Sequence, residues 1–306
     1  MAGAGVVRLA TRGSALALAQ AVLVADRLRA RGAAVEVLPI RTEGDRLADA
    51  RLAVLGGKGL FVREIEQAVL EGRADCAVHS LKDLPAALPA GLVLAAFPPR
   101  DAAGDVLVSR RGGGLDELPA GAVVGTSSPR RVALVRALRP DLAVAPIRGN
   151  VDTRLGKLAD GAFDAVIVAA AGLARLGLAP AHAQPLDPEV FVPAVGQGIL
   201  AVEARAADRR IGALLEAIDH APTRVCALAE RAYLARLGAS CNSPMAAHAT
   251  LAGGRLRLVA LVASEDGTQV LRGEDAGAPD AAEAIGRRLA ESLLERGAAA
   301  VTALRG

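Results

Sequence analysis

The sequence has very few aromatic side chains. Of its 306 residues only 2% are Phe, Trp or Tyr, with no Trp and one Tyr. Proteins that bind single-stranded nucleic acid usually stack bases on aromatic rings, so this scarcity argues against that class. Charge of one sign is also lacking, because 36 Lys and Arg face 33 Asp and Glu, a formal net charge of +3. Any anionic ligand would therefore be bound by local clusters of Arg and Lys.

Cysteine and long apolar runs are scarce as well. The three cysteines are widely spaced, which predicts neither a disulfide framework nor a metal site and fits a reducing cytoplasm. No run reaches the roughly 18 apolar residues of a membrane span. The apolar stretch 14–25 is predicted to belong to a helix rather than a signal peptide, because a strand-like segment precedes it and charged residues continue it.

Strand-like and helix-like segments alternate over the first two thirds of the chain. A strand over Val6–Ala10 precedes a helix capped by Ser14, and the alternation restarts after residue 105. This order predicts parallel sheets covered by helices, in two α/β units. The apolar run 199–204 is expected to lead from the second unit back into the first.

The last third has a different pattern. From about residue 220 a helix is followed by two alternating runs around Gly253–Gly254, a hairpin signal, and then by a strand and a final amphipathic helix. This indicates a small α+β domain. We therefore expect an N-terminal α/β domain of residues 1–99 and 200–219, a central α/β domain of residues 100–199, and a C-terminal α+β domain of residues 220–306.

Three strand-to-helix turns combine hydroxyl groups or a cap with arginines: LATRGS (9–14), VGTSSPRR (124–131) and IRGNVDTR (147–154). N–H groups at a helix N-terminus bind anions, and arginine adds charge-assisted bonds to carboxylate or phosphate. Capped helices with solvated arginines would explain any one turn, but three of them favour a cleft for a polyanion. Phosphate and carboxylate both stay open here. GGKG (56–59) is too short for a GxxxxGK[ST] phosphate loop and is more typical of a flap.

Polar side chains are dense in ADCAVHSLKDLP (74–85), where a short strand leads to Lys82 and Asp83. A carboxylate beside a lysine and facing an arginine-lined cleft stays ionised near neutral pH and balances a cation that develops on a substrate. The simpler interpretation makes Asp83 a helix cap or a partner of Lys82. A Ser-His-Asp triad is not indicated, because no nucleophile elbow or oxyanion loop accompanies His79 and Ser80.

These motifs, together with GGKGLFVREIE, AGLARLGL, PAVGQG and the loop around Cys241, occur in the order found in porphobilinogen deaminases (hydroxymethylbilane synthases). Over residues 8–244 the chain resembles that family. The resemblance implies two domains like type II solute-binding proteins and a third domain that carries a cysteine. It implies the head-to-tail condensation of four porphobilinogen molecules with loss of ammonia, on a dipyrromethane cofactor held by a thioether, followed by hydrolytic release of hydroxymethylbilane.

The resemblance also assigns roles to residues. Cys241, which unlike Cys76 and Cys226 lies in a polar segment, matches the cofactor attachment site, and Asp83 matches the catalytic aspartate that stabilises an azafulvene cation. The residues that match carboxylate-binding positions are Arg12, Ser14, Lys58, Lys82, Thr126, Ser128, Arg130, Arg131, Arg148, Arg154 and Arg175. Val54 and Ser240 depart from the family, whose members often have lysine and glycine there. No metal, nucleic acid or membrane is implied, and we expect a cytoplasmic monomer.

Two other functions remain open at this point. A non-enzymatic, bilobal anion-binding protein would have the same arginine-rich turns but would need neither Asp83 nor a cysteine adduct. A hydrolase with Cys241 as nucleophile would need His79 or His248 as its base, and nothing in the sequence orients either one.

Overall fold

The structure is a computed structural model that describes residues 5–41, 62–238 and 243–302. The chain forms two compact units, Met1–Arg100 with Ile199–Arg224 and Asp101–Gly198 with Val225–Gly306. The division into three domains, with the C-terminal domain separate, stays a prediction.

The first unit is built on a five-stranded sheet in the order β2-β1-β3-β10-β4. Its strands are β1 (Val7–Arg12), β2 (Val35–Ile40), β3 (Cys76–Ser80), β4 (Leu92–Ala96) and β10 (Leu200–Arg205). Its helices are α1 (Ala15–Arg29), α2 (Arg63–Leu70) and α6 (Arg209–Glu216). Strands β1, β2 and β3 are parallel, whereas β10 runs antiparallel to both β3 and β4.

The second unit repeats this arrangement in the order β7-β6-β8-β5-β9. Its strands are β5 (Asp105–Ser109), β6 (Val123–Gly125), β7 (Ala143–Ala145), β8 (Ala165–Ala169) and β9 (Ala183–Pro185). Its helices are α3 (Pro129–Leu138), α4 (Val151–Ala159) and α5 (Ala170–Arg175). Here β5 is the strand that runs antiparallel to its neighbours. In each sheet one strand runs antiparallel to its neighbours, so the sheets are mixed rather than wholly parallel as predicted.

The second unit also contains an antiparallel three-stranded sheet of β11 (Met245–Ala252), β12 (Arg255–Ala263) and β13 (Val270–Gly277). The hairpin turns at Gly253 and Gly254, whose φ angles of 56° and 72° match the predicted turn. One face of the sheet packs against α7 (Ala221–Leu237) and α8 (Ala282–Glu295). The other face contributes to the core of the β5–β9 sheet, and the short α9 (Ala298–Val301) follows.

This architecture confirms the predicted fold class of two α/β sheets with a small α+β part. The predicted strand Val6–Ala10 is observed as Val7–Arg12, and the predicted apolar run 199–204 is observed as the strand Leu200–Arg205. The short strand β9 and the helices α5 and α6 were not predicted.

Candidate functional site

The segment that carries Asp83 follows β3 as a single turn of 3₁₀ helix, Leu81–Asp83. Two hydrogen bonds fix its start: Leu81 N donates to Ile199 O at 3.0 Å, and Gln20 Nε2 donates to Ser80 Oγ at 2.8 Å. Lys82 is half-buried and Asp83 is exposed. The turn therefore places a carboxylate at the carboxyl end of a buried strand, where solvent and ligands reach it.

Arg12 and Ser14 lie at the end of β1, which is the parallel neighbour of β3. Ser14 caps α1, because its Oγ accepts a hydrogen bond from Ala17 N at 3.3 Å. Both side chains are half-buried. Since parallel strands end at the same edge of a sheet, the structure brings these two residues to the edge that carries Lys82 and Asp83.

The corresponding turn of the second unit lies between β6 and α3. Thr126 is buried, and its Oγ1 accepts a hydrogen bond from Ser128 N at 3.3 Å. Ser128 occupies the N-cap position of α3 without a side-chain capping bond. Ser127, which was not among the predicted residues, both donates to Ile147 O and accepts from Ile147 N, at 2.8 and 3.0 Å. This pair of bonds joins the turn after β6 to the turn after β7.

Arg130 and Arg131 are 3% and 6% exposed and share one buried carboxylate, that of Asp105. Arg130 Nη1 lies 2.7 Å from Asp105 Oδ2, and Arg131 Nη2 lies 2.6 Å from Oδ1. Arg130 also donates to Val192 O, and Arg131 to Ile167 O, each at 2.8 Å. Burial alone would raise the pKa of the Asp105 carboxyl, but the two guanidinium groups hold that pKa well below its usual range.

The charges of this cluster do not cancel, since two guanidinium groups face one carboxylate. Arg154, one turn inside α4, adds to the excess. Burial, and then the positive charge of Arg131, lower the pKa of Arg154. The guanidinium groups of Arg131 and Arg154 therefore repel each other electrostatically. Arg154 Nε donates to Gly149 O at 2.9 Å, whereas Arg148 is exposed. A buried or half-buried excess of positive charge favours an anionic ligand.

Arg175 lies elsewhere in the second unit, at the end of α5. Its Nε lies 2.8 Å from Asp101 Oδ2, its Nη2 donates to Gly198 O at 2.7 Å, and its side chain is 5% exposed. These contacts hold together residues 101 and 198, the two ends of one continuous stretch of this unit. Carboxylate binding by Arg175 stays a prediction, and its observed contacts account for its burial without a ligand.

Sequence reasoning missed Asp105 and gave Gln197 no role. Gln197 Nε2 donates to Asp105 Oδ1 at 2.9 Å and to Ala103 O at 2.7 Å, so Asp105 has a third polar partner. The available signal was an aspartate at the first position of an apolar strand, DVLVS, where an ionised side chain needs a partner.

Four predicted positions, Lys58, Cys241, Val54 and Ser240, lie outside the described residues. Among residues 5–41, 62–238 and 243–302 no group of three His, Cys, Asp or Glu side chains is arranged to hold a metal ion. In the same part of the chain no helix has the length and apolar character needed to span a membrane.

Two family models match the chain. The model for porphobilinogen deaminase, dipyromethane cofactor binding domain, matches residues 7–213, and the model for porphobilinogen deaminase, C-terminal domain, matches residues 224–295. The chain is 52% identical to the porphobilinogen deaminase of Desulforudis audaxviator over 299 residues, 97% of each chain. It is also 52% identical to that of Chromobacterium violaceum over 292 residues, 95% of this chain and 94% of the relative.

Solved structures give weaker matches. The VFT2 domain of Bordetella pertussis BvgS is similar at a TM-score of 0.42 and 17% identity, over 71% of this chain and 88% of that one. The methionine-binding protein MetQ is similar at a TM-score of 0.43 and 13% identity, over 70% and 89%. At these values both are distant likenesses.

Proposed function

The chain belongs to the porphobilinogen deaminase family, and from that membership we propose that it is a hydroxymethylbilane synthase. It condenses four porphobilinogen molecules head to tail, releases one ammonia at each addition, and hydrolyses off the linear tetrapyrrole. The observation that carries this proposal for the site is an excess of positive charge: Arg130 and Arg131 share the single carboxylate of Asp105, and Arg154 adds a third guanidinium group close enough to Arg131 to have its pKa lowered by it. Each pyrrole of the substrate bears acetate and propionate side chains, so the growing oligomer is a polycarboxylate.

The donor set fits the dipyrromethane cofactor of the family, because that group is itself a polycarboxylate. When bound, it supplies the pyrrole carbon to which the first substrate is joined. We propose that it is attached through a thioether to Cys241. The residues proposed to bind the carboxylates of cofactor and substrate are Arg12, Ser14, Lys58, Lys82, Thr126, Ser128, Arg130, Arg131, Arg148, Arg154 and Arg175.

These residues divide by burial. Arg130 and Arg131 are held in place by Asp105 and by backbone carbonyl groups, so they are pre-organised and lose little side-chain entropy on binding. Arg148 is exposed and able to follow a chain that lengthens. A lysine or arginine that pairs with a substrate carboxylate in a half-buried site makes a charge-assisted hydrogen bond. If a substitution removes that lysine or arginine, the substrate carboxylate stays partly buried without a partner, which is costly.

Asp83 is the proposed catalytic residue. Departure of the amino group as ammonia leaves a cation on the substrate, and a carboxylate stabilises that cation in surroundings that are otherwise positive. The same carboxylate accepts hydrogen bonds from pyrrole N–H groups and takes up the proton lost when the next ring is joined. Its exposure on a turn anchored by Gln20 and Ile199 supports this role.

We further propose that the protein works in the cytoplasm as a monomer, without nucleic acid, and that its cofactor cysteine belongs to a distinct C-terminal domain. The scarcity of aromatic residues supports the expectation that no nucleic acid is bound, and the spacing of the cysteines supports a reducing cytoplasm.

Two measurements on the purified full chain test the proposal. The first is the absorbance of porphyrin formed from porphobilinogen after oxidation of the product. The second is intact mass, in which the wild type should carry an added mass of two linked pyrrole units that is absent from Cys241→Ser. A bare polypeptide mass together with no consumption of porphobilinogen would favour a non-enzymatic anion-binding protein instead.

A further inference from the structure

Three buried ionisable side chains, which the proposed reaction does not use, surround the strand that leads to Asp83. His79 on β3 is 5% exposed, Glu203 on β10 is 0% exposed, and Glu66 on α2 is 7% exposed. His79 Nε2 lies 3.1 Å from Glu203 Oε2. Removing such groups from water is costly, so their place beside the catalytic segment calls for a physical explanation.

Each of the two glutamates has one buried oxygen that finds no hydrogen-bond donor in the part of the chain that the structure describes, Oε1 of Glu66 and Oε1 of Glu203. Two like charges in one buried site repel each other, and a proton on either carboxyl removes the repulsion and supplies a donor. Burial, and then the negative charge of Glu203, raise the pKa of Glu66, against weaker opposing effects of His79 and Arg63. Burial and this repulsion therefore both favour the neutral form of the Glu66 carboxyl.

The hydrogen bond between His79 Nε2 and Glu203 Oε2 joins the same two strands that hold the catalytic turn. In the β3–β10 register, Ala201 lies opposite His79 and Leu200 lies opposite Ser80. The next bond along this ladder, from Leu81 N to Ile199 O at 3.0 Å, is the bond that starts the 3₁₀ turn. A shift of β3 against β10 at His79 is thus transmitted to Asp83 four residues later.

We propose that His79 and Glu203 are positioning residues for the turn that carries Asp83, and that Glu66 is held beside them as the neutral acid. The Nε2–H of His79 donates to Glu203 Oε2, which fixes β3 against β10. The proton on Glu66 keeps the second carboxyl from competing for His79. This inference rests on the proposed function, because it assigns the cluster to the Asp83 turn.

The first test compares kcat and KM for porphobilinogen in cofactor-loaded wild type, His79→Leu, His79→Gln and Glu203→Gln. We expect His79→Leu and Glu203→Gln to lower kcat by about ten- to a hundredfold, as small misplacements of a catalytic group do. KM should change little, because the side-chain hydrogen bond of each residue is to the other and not to a described carboxylate-binding side chain. His79→Gln keeps a side-chain N–H donor and should retain most of the kcat that His79→Leu loses.

Asp26→Asn, on the exposed face of α1, is the matched control and should behave as wild type. An unchanged kcat per cofactor-loaded molecule in both His79→Leu and Glu203→Gln would overturn the positioning role and leave the proposed function intact. A wild type that does not consume porphobilinogen would instead refute the proposed function.

The second test follows the midpoint of thermal unfolding against pH, and needs no activity. The raised pKa of Glu66 means that its stabilising contribution is complete at acid pH and is lost as pH rises through the folded-state value. Glu66→Gln mimics the neutral acid and has no proton to lose, so its midpoint should fall less than that of wild type as the pH rises from the ordinary glutamate value of about 4.3. Equal slopes for the two proteins would overturn the neutral state of Glu66.

Discussion

Replacing Asp105 by asparagine tests how far one carboxylate stabilises the second unit. Asp105 Oδ1 lies 2.6 Å from Arg131 Nη2 and accepts from Gln197 Nε2 at 2.9 Å, while Oδ2 lies 2.7 Å from Arg130 Nη1. The carboxylate is 1% exposed. Asparagine keeps the shape but removes the charge and turns one oxygen into an NH₂ group that faces a guanidinium donor.

The size of the destabilisation expected for Asp105→Asn follows from the burial of the carboxylate. Removing one partner of a buried ion pair costs about 3–5 kcal/mol, because the remaining charge stays in a poorly solvated site. Here two guanidinium groups lose the partner that they share, so the upper part of that range applies. A change of 1 kcal/mol moves the unfolding midpoint of a unit of 150–250 residues by roughly 2–4 °C, which predicts a decrease on the order of 10 °C or more.

Asp141→Asn is the matched control. Asp141 also pairs with an arginine through two bonds, from Arg139 Nε at 2.8 Å and Nη2 at 2.6 Å, but its side chain is 40% exposed. An exposed pair of this kind contributes about 1 kcal/mol or less. Differential scanning calorimetry of the two variants and wild type at pH 7 measures the difference. Equal decreases in the two variants would refute the argument that burial sets the cost.

The Asp105 carboxylate also sets a lower pH limit for the stability of the protein. Its pKa is depressed in the folded state, so the stability that it provides is present above the ordinary aspartate value of about 3.9 and is lost as pH falls below it. Wild type should therefore lose stability steeply below about pH 4, whereas Asp105→Asn, already destabilised, should show a shallower dependence. Circular dichroism against pH follows both.

The remaining predictions concern turnover and packing. Asp83→Ala should carry the cofactor mass yet lose at least about a hundredfold in kcat, because the developing cation loses its counter-charge; near-normal turnover would contradict that role. Gly286→Ala should cost about 1–3 kcal/mol in urea unfolding, since a Cβ there would overlap Ala229 O, while Gly212→Ala, with open space around it, should be neutral or stabilising. Tyr233→Phe should cost about 1 kcal/mol in the same assay, because Leu261 O loses its 3.1 Å hydrogen bond.

Local signals in the sequence predict local structure well. Ser14 caps α1 as its position before an apolar run indicates, and Gly253–Gly254 forms the expected hairpin turn. The direction of β5 and β10 could not be predicted, because hydrophobic periodicity is the same for parallel and antiparallel strands. Direction depends on the partner strand, and β10 pairs with residues more than 100 positions earlier.

The candidate site could also be predicted only where its signal is local in the sequence. The spacing of hydroxyl and arginine residues identifies the turns that end β1 and β6, and both turns lie where the pattern places them. It does not reveal that Arg130 and Arg131 are buried on Asp105, since their shared partner lies about 25 positions away and no local pattern links them. Nor does it reveal Glu66 beside His79 and Glu203, because these residues come together only when α2 packs on the assembled sheet.

The fourth strand of the first sheet has a consequence for synthesis. Strand β10 (Leu200–Arg205) lies between β3 and β4, which are both made before residue 97. At roughly 5–20 residues per second, a ribosome needs on the order of ten seconds to deliver it. Through that interval the nascent chain exposes two unsatisfied strand edges, and a premature stop ahead of residue 200 would make the exposure permanent. We expect chaperone demand and loss through aggregation to be set by this delayed insertion more than by the fragility of the finished protein.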